Sequence, residues 1–119
     1  MTKFYDYIEV GGVANTEVTE KFLTSTEEEP KRIINLYIFE STSTRQNDAV
    51  VRVYVERERI VDIPIRMFLD QAADPVYPNG AGKIELGVDL PIGQSLIVGH
   101  VSGATPSNIT FVAEYEIVE

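Results

Sequence analysis

VRVYVERERIVDIPI, residues 51–65, is the stretch whose reading decides the fold class. Val51, Val53 and Val55 alternate with Arg52, Tyr54 and Glu56, the period-2 pattern of a half-buried strand. Four charges, Glu56, Arg57, Glu58 and Arg59, then interrupt it, and an apolar pattern resumes through Val61, Ile63 and Ile65. The span from Val50 to Ile65 is too long for one ordinary strand, so two strands joined by a tight turn near Arg57-Glu58 are expected. Both valine and isoleucine sets face inward in that hairpin, with the charges at its tip. The turn carries no Asn-Gly and no Gly, which leaves its geometry open. Two roles for the charges also stay open: a solvated tip, or a ladder of opposite charges between chains that sets register more than stability.

The same period recurs along the chain. KIELGVDL puts Ile84, Leu86, Val88 and Leu90 on one face, with Glu85 and Asp89 opposite. NITFVAEYEIVE puts Ile109, Phe111, Ala113, Tyr115 and Ile117 on one face, with Glu114 and Glu116 opposite. Such strands are apolar inward and polar outward. RIINLYIFE differs in being apolar on both faces: Ile34, Leu36 and Ile38 on one, Ile33, Tyr37 and Phe39 on the other. EVTEKFLT (17–24), VVRVYVE (50–56), RIVDIPI (59–65) and QSLIVGHV (94–101) bring the expected strands to seven, or eight if FYDYIEV pairs. Turn-forming stretches, among them TEEEP, STSTRQND, DPVYPNGAG, LPIG and SGATPSN, separate them. Only RMFLDQAA (66–73) has room for a helical turn. The expected architecture is a single antiparallel β-sandwich over residues 17–119, preceded by an N-terminal arm, residues 1–16, with Gly11-Gly12 near its end. Leu36, Ile38, Val53, Val55, Ile63, Leu86, Val88, Phe111 and Tyr115 are expected in the core.

Composition narrows the chemistry. The chain has 119 residues, 44% of them hydrophobic, enough for one domain with its own core. It has no cysteine, so disulfides, thiolate catalysis and cysteine metal sites are excluded. The net charge is −9, and beyond Met67 the basic side chains reduce to Lys83. That field repels phosphate backbones and anionic membranes, so neither nucleic acid nor membrane is an expected partner. MTKFYDYIEVGG lacks the apolar core of a signal peptide, and no run approaches membrane-spanning length, so synthesis in the cytoplasm is expected.

Catalytic and cofactor constellations are weak. The single His100 sits in the strand pattern beside Leu96 and Val98, and GQS at 93–95 starts a strand instead of forming a nucleophile elbow. Asp70, Asp74 and Asn79 offer oxygen ligands to calcium in one loop, without EF-hand spacing; a plain turn-rich loop is the simpler reading. GGVAN and NGAGK lack phosphate-loop spacing, and the NIT sequon at 108–110 reads as a chance match. No cofactor, no metal and no enzymatic activity are expected.

Three ordered segments carry a resemblance: LTSTEEEPKRIINLYIFES (23–41), VVRVYVERERIVDIPI (50–65), and LGVDLPIGQSLIVGHVSG followed by ITFVAEYEIV. In this order they resemble small β-sandwich head decoration, or cement, proteins of tailed bacteriophages. The resemblance implies a jelly-roll-like sandwich that sits on the capsid surface of a virion as an oligomer, bound to the major capsid protein, without catalysis. It assigns no binding residues. Those follow from the apolar pattern: Phe4, Tyr5, Tyr7 and Ile8 of the arm, and Ile33, Tyr37 and Phe39 of the two-faced strand, are the expected contacts to the capsid or to further copies in a dimer or trimer. A carbohydrate- or receptor-binding module of a tail or fibre is the competing expectation, with Tyr77 as its exposed aromatic. A small acidic enzyme is a third.

Overall fold

The computed structural model describes residues 3–40, 49–64, 82–104, 106 and 108–118, and their regular structure is entirely β. The strands are β1 (Lys3–Gly11), β2 (Glu17–Thr24), β3 (Lys31–Glu40), β4 (Val50–Val55), β5 (Glu58–Pro64), β6 (Gly82–Leu90), β7 (Ser95–Val101) and β8 (Asn108–Ile117). The first sheet runs β1-β8-β3-β6 and the second β2-β7-β4-β5, and every neighbouring pair is antiparallel. The pairs β1·β8, β2·β7, β3·β6 and β4·β5 are the rungs of one long folded ribbon. Rolling that ribbon adds β8·β3 and β7·β4 and closes a jelly roll.

Within the expected arm, residues 3–11 form strand β1, the eighth strand that FYDYIEV supplies if it pairs. All nine of its residues pair with β8, from Lys3↔Glu116 to Gly11↔Asn108. Ile8 and Val10 extend the core layer beside Phe111 and Ile109, so this segment docks on its own domain. Gly11-Gly12 is part of a tight return: Gly12 N donates to Asn108 Oδ1 at 3.4 Å, and Asn15 N donates to the Gly103 carbonyl at 2.9 Å.

The core is the interleaving of the two inner faces. Ile33, Leu36, Val51, Val53, Leu96, Val98, Ile109, Phe111 and Ala113 are fully enclosed, and Ile38 and Tyr115 nearly so. Val55, Ile63 and Leu86, also expected there, pack half-buried against it, and Val88 is half-buried as well. One inward assignment is corrected. The β3·β8 register slips between Ile33 and Asn35, leaving Ile34 as an extra residue against β8. This bulge inverts the alternation before it, so Ile33, not Ile34, joins Leu36 and Ile38 in the core.

The charged tip of the opening stretch has a structural role in part. The loop is Glu56-Arg57, and Glu56 takes φ 54°, a conformation that costs a side-chain-bearing residue on the order of 1 kcal/mol or more. Two hydrogen bonds offset this. Glu56 N donates to the Ser95 carbonyl at 3.0 Å, and Ser95 N donates to Glu56 Oε2 at 2.6 Å. Arg59 pairs with Asp62 at 3.7 Å, while Arg57 and Glu58 are exposed.

Polar fasteners close both ends of the sandwich. Near the start of β7, the buried Ser25 accepts from Lys31 N at 2.8 Å, and Lys31 Nζ donates to the Thr24 carbonyl at 2.8 Å. Thr24 and Ser95 share a hydroxyl contact of 2.7 Å. Toward the other end His100 is fully buried, and its Nε2 lies 3.1 Å from the Val10 carbonyl of the opposite sheet. A carbonyl only accepts, so Nε2 carries the proton and Nδ1 is left to accept from the Ser102 hydroxyl at 3.4 Å.

Two consequences are measurable. At Gly99 an added Cβ would stand 2.2 Å from the Val18 carbonyl oxygen, so β2 approaches β7 over a position where only glycine fits. Gly99→Ala should destabilise the fold by roughly 1–3 kcal/mol, seen as a lower urea midpoint; an unchanged midpoint would contradict the close approach. Burial holds the His100 pKa below its ordinary value, against the raising effect of the Val10 bond. The unfolded chain then binds the extra proton first. The stability contributed by neutral His100 is complete above about pH 6.5 and is lost as pH falls from there through the folded pKa. Urea midpoints should drop from about pH 7.5 to about pH 5.5, and His100→Gln should flatten that slope; equal slopes in both proteins would contradict the assignment.

Candidate functional site

Alternation gives each sheet an outer face as well as a core face, and the two outer faces differ in chemistry. That of the second sheet is a network of charges. Arg52 on β4 donates to Asp62 on β5 at 3.1 Å and to Glu17 on β2 at 3.3 Å, reaching Glu17 across β7 at Gly99. Tyr54 also donates to Glu17. A shallow groove beside this network is lined by Glu17, Thr19, Tyr54, Glu56, Arg57 and Ile97. Within it Tyr54 is tied to Glu17, and Glu56 accepts from Ser95 N.

The outer face of the first sheet is aromatic. Three rows cross it at right angles to the strands. Tyr5 on β1 stands opposite Glu114 on β8, which stands opposite Asn35 on β3. Tyr7, Val112, Tyr37 and Lys83 form the next row, across all four strands. Glu9, Thr110 and Phe39 form the third. Tyr7 is 75% exposed, Tyr5 59% and Phe39 43%, high values for rings grouped on one sheet face.

Beneath the rings lies a fixed anion. Glu114 is only 4% exposed although it points away from the core. Asn35 Nδ2 donates to its Oε1 at 2.8 Å, the Tyr37 hydroxyl donates to the same oxygen at 3.2 Å, and Lys3 Nζ lies 3.3 Å from Oε2. The Asn35 bond, followed by Lys3 and Tyr37, holds its pKa below the usual carboxylate range against the effect of burial. Desolvation, and then the Glu114 charge, raises the phenols of Tyr5 and Tyr37. The group is therefore an ionised acceptor that orients hydroxyls and an amide. Proton donation near neutral pH would need the opposite shift.

The expected contact residues divide. Tyr5, Tyr7, Tyr37 and Phe39, drawn from two separate segments, meet on this one face. Phe4 lies on the core side of β1 at its open end, stacked on Tyr115 with ring centroids 5.6 Å apart, and remains 40% exposed. Ile8 is half-buried against the core. Ile33 is withdrawn altogether: the bulge at Ile34 turns it inward to full burial, so it is not a surface contact. His100 belongs to the inter-sheet fastening. Asp70, Asp74, Asn79, Tyr77 and the helical turn at 66–73 fall outside the described residues. Among the described residues no three His, Asp or Glu side chains converge as metal ligands would.

Sequence reasoning missed Glu114 as a member of the site. Its strand pattern marks it as solvent-facing, and only the adjacency of β1, β8 and β3 brings Lys3, Asn35 and Tyr37 onto it. Compared with known proteins, the chain matches no family model, no curated protein and no solved structure.

Proposed function

We propose that this chain is a non-enzymatic structural protein of a virion: a decoration protein that binds the surface of a phage capsid and stabilises it. The observation that carries this reading is the aromatic outer face of the first sheet, with Tyr5, Tyr7, Tyr37 and Phe39 gathered around the ionised Glu114. Tyrosine and phenylalanine are enriched at protein interfaces because they exclude much water at small rotamer cost, while the tyrosine hydroxyl still finds a partner. The salt-bridged outer face of the second sheet is the natural solvent side. The jelly roll and the ordered three-segment resemblance support the same reading. The major capsid protein is the partner, and the site of action is the outside of the head. A decoration protein works through numbers: each copy bridges shell subunits, and mass action favours the closed shell.

A carbohydrate- or receptor-binding role is the second reading. It is favoured by one feature, the carboxylate and amide of Glu114 and Asn35 fixed beside the Tyr5 and Tyr37 rings, since sugars are held by rings and oriented polar groups together.

Heads assembled with and without this protein separate the readings. Bound protein should raise the temperature or lower the ionic strength at which heads rupture. Phe39→Ser, which changes an exposed ring, should weaken head binding about tenfold or more while leaving the fold intact. Heads that never contain the protein, or that rupture identically without it, would contradict the proposal. Selective binding on a glycan array by a protein with no affinity for heads would favour the second reading.

A further inference from the structure

Each sheet has two edges, and an open edge is a template for further strands unless something blunts it. Among the described residues, three of the four edge strands are blunted. Edge strand β2 pairs with β7 through a register shift between Lys21 and Leu23. Edge strand β5 pairs with β4 through a shift next to Val53 and Tyr54, and Pro64 closes it. Edge strand β6 pairs with β3 through the shift between Ile33 and Asn35 and contains Gly87 at φ 57°. The fourth edge, β1, has nine residues in unbroken register, no proline, and side chains that are almost all exposed.

We infer that β1 is a self-association edge, pairing antiparallel with the β1 of a second copy to make one continuous eight-stranded sheet. Parity and charge select the register. Lys3, Tyr5, Tyr7 and Glu9 point to the outer face, so a continuous sheet must set odd residues against odd ones. Centring the pair on Tyr7 uses all nine residues and opposes Lys3 to Gly11, Phe4 to Val10, Tyr5 to Glu9 and Asp6 to Ile8, with no like charges face to face. The neighbouring parity-conserving register centred on Asp6 sets that carboxylate against its own copy and shortens the ladder. The Tyr7-centred pair also covers the exposed Phe4 and joins the two aromatic outer faces into one surface about a twofold axis. The inference rests on the edge and stands whether or not a capsid is the partner.

The isolated chain tests it, and its lack of cysteine makes the test clean. Directly opposed residues in an antiparallel pair have Cα atoms about 4.5–5.5 Å apart, within the span of a disulfide. Light scattering of the wild-type chain should give twice its mass of 13.3 kDa. Oxidised Tyr7→Cys should form a covalent dimer with an unchanged circular dichroism spectrum, and oxidised Phe39→Cys, two strands in from the edge, should not crosslink. A wild-type chain that stays monomeric at high concentration would overturn the inference. So would a dimer that crosslinks through Phe39→Cys, or through neither position.

Discussion

The register of β3 against β8 is the interaction on which both faces of the first sheet depend. One set of pairings, Leu36 with Ala113 and Ile38 with Phe111, supplies the centre of the core. The alternate set, Asn35 with Glu114, Tyr37 with Val112 and Phe39 with Thr110, supplies the outer face. Because side chains alternate with a period of two, a slip of one residue would exchange the sets and expose about 1.5–3 kcal/mol of burial for each large apolar side chain. The bulge at Ile34 is the one place where β3 breaks the alternation, and it lets Lys31 turn inward to the polar knot at the end of the sandwich while Ile33 fills the core.

Between the two sheets the contacts are apolar, and at either end they become directional. His100 reaches the Val10 carbonyl across the gap at one end, and Ser25, Lys31, Thr24 and Ser95 lock the other. Each neutral hydrogen bond of this kind adds only about 0.5–1.5 kcal/mol, but leaving one unmade in the interior costs more. The end fastenings therefore select how the sheets align, while burial supplies most of the attraction. Glu56 adds a directional fastening within the second sheet, accepting a left-handed backbone in return for two bonds to Ser95.

Much of this was legible in the chain itself. The hairpin of residues 50–64, the inward sets of β6 and β8, and the bounds of β2 all follow from alternation within a single strand. What was hidden depends on relations between strands. Ile33 reads as an outer residue because a bulge adds one residue without marking itself in the pattern. Residues 3–11 read as an arm because their pairing with β8 spans nearly the whole chain. Glu114 reads as a solvated carboxylate because its partners come from β1 and β3. Tyr5, Tyr7, Tyr37 and Phe39 were visible as apolar excess, but the meeting of two segments on one face was not.

The two outer faces now stand in contrast, one occupied by mutually satisfied charges and the other by exposed rings over a buried anion. The second of these is the proposed docking surface. Hydroxyl-radical footprinting, read residue by residue on free and head-bound protein, tests it most directly. Tyr37 and Phe39 should lose reactivity on binding, while Tyr54, on the opposite face, should react as in the free chain. Protection of Tyr54 with Tyr37 and Phe39 unchanged would contradict the account.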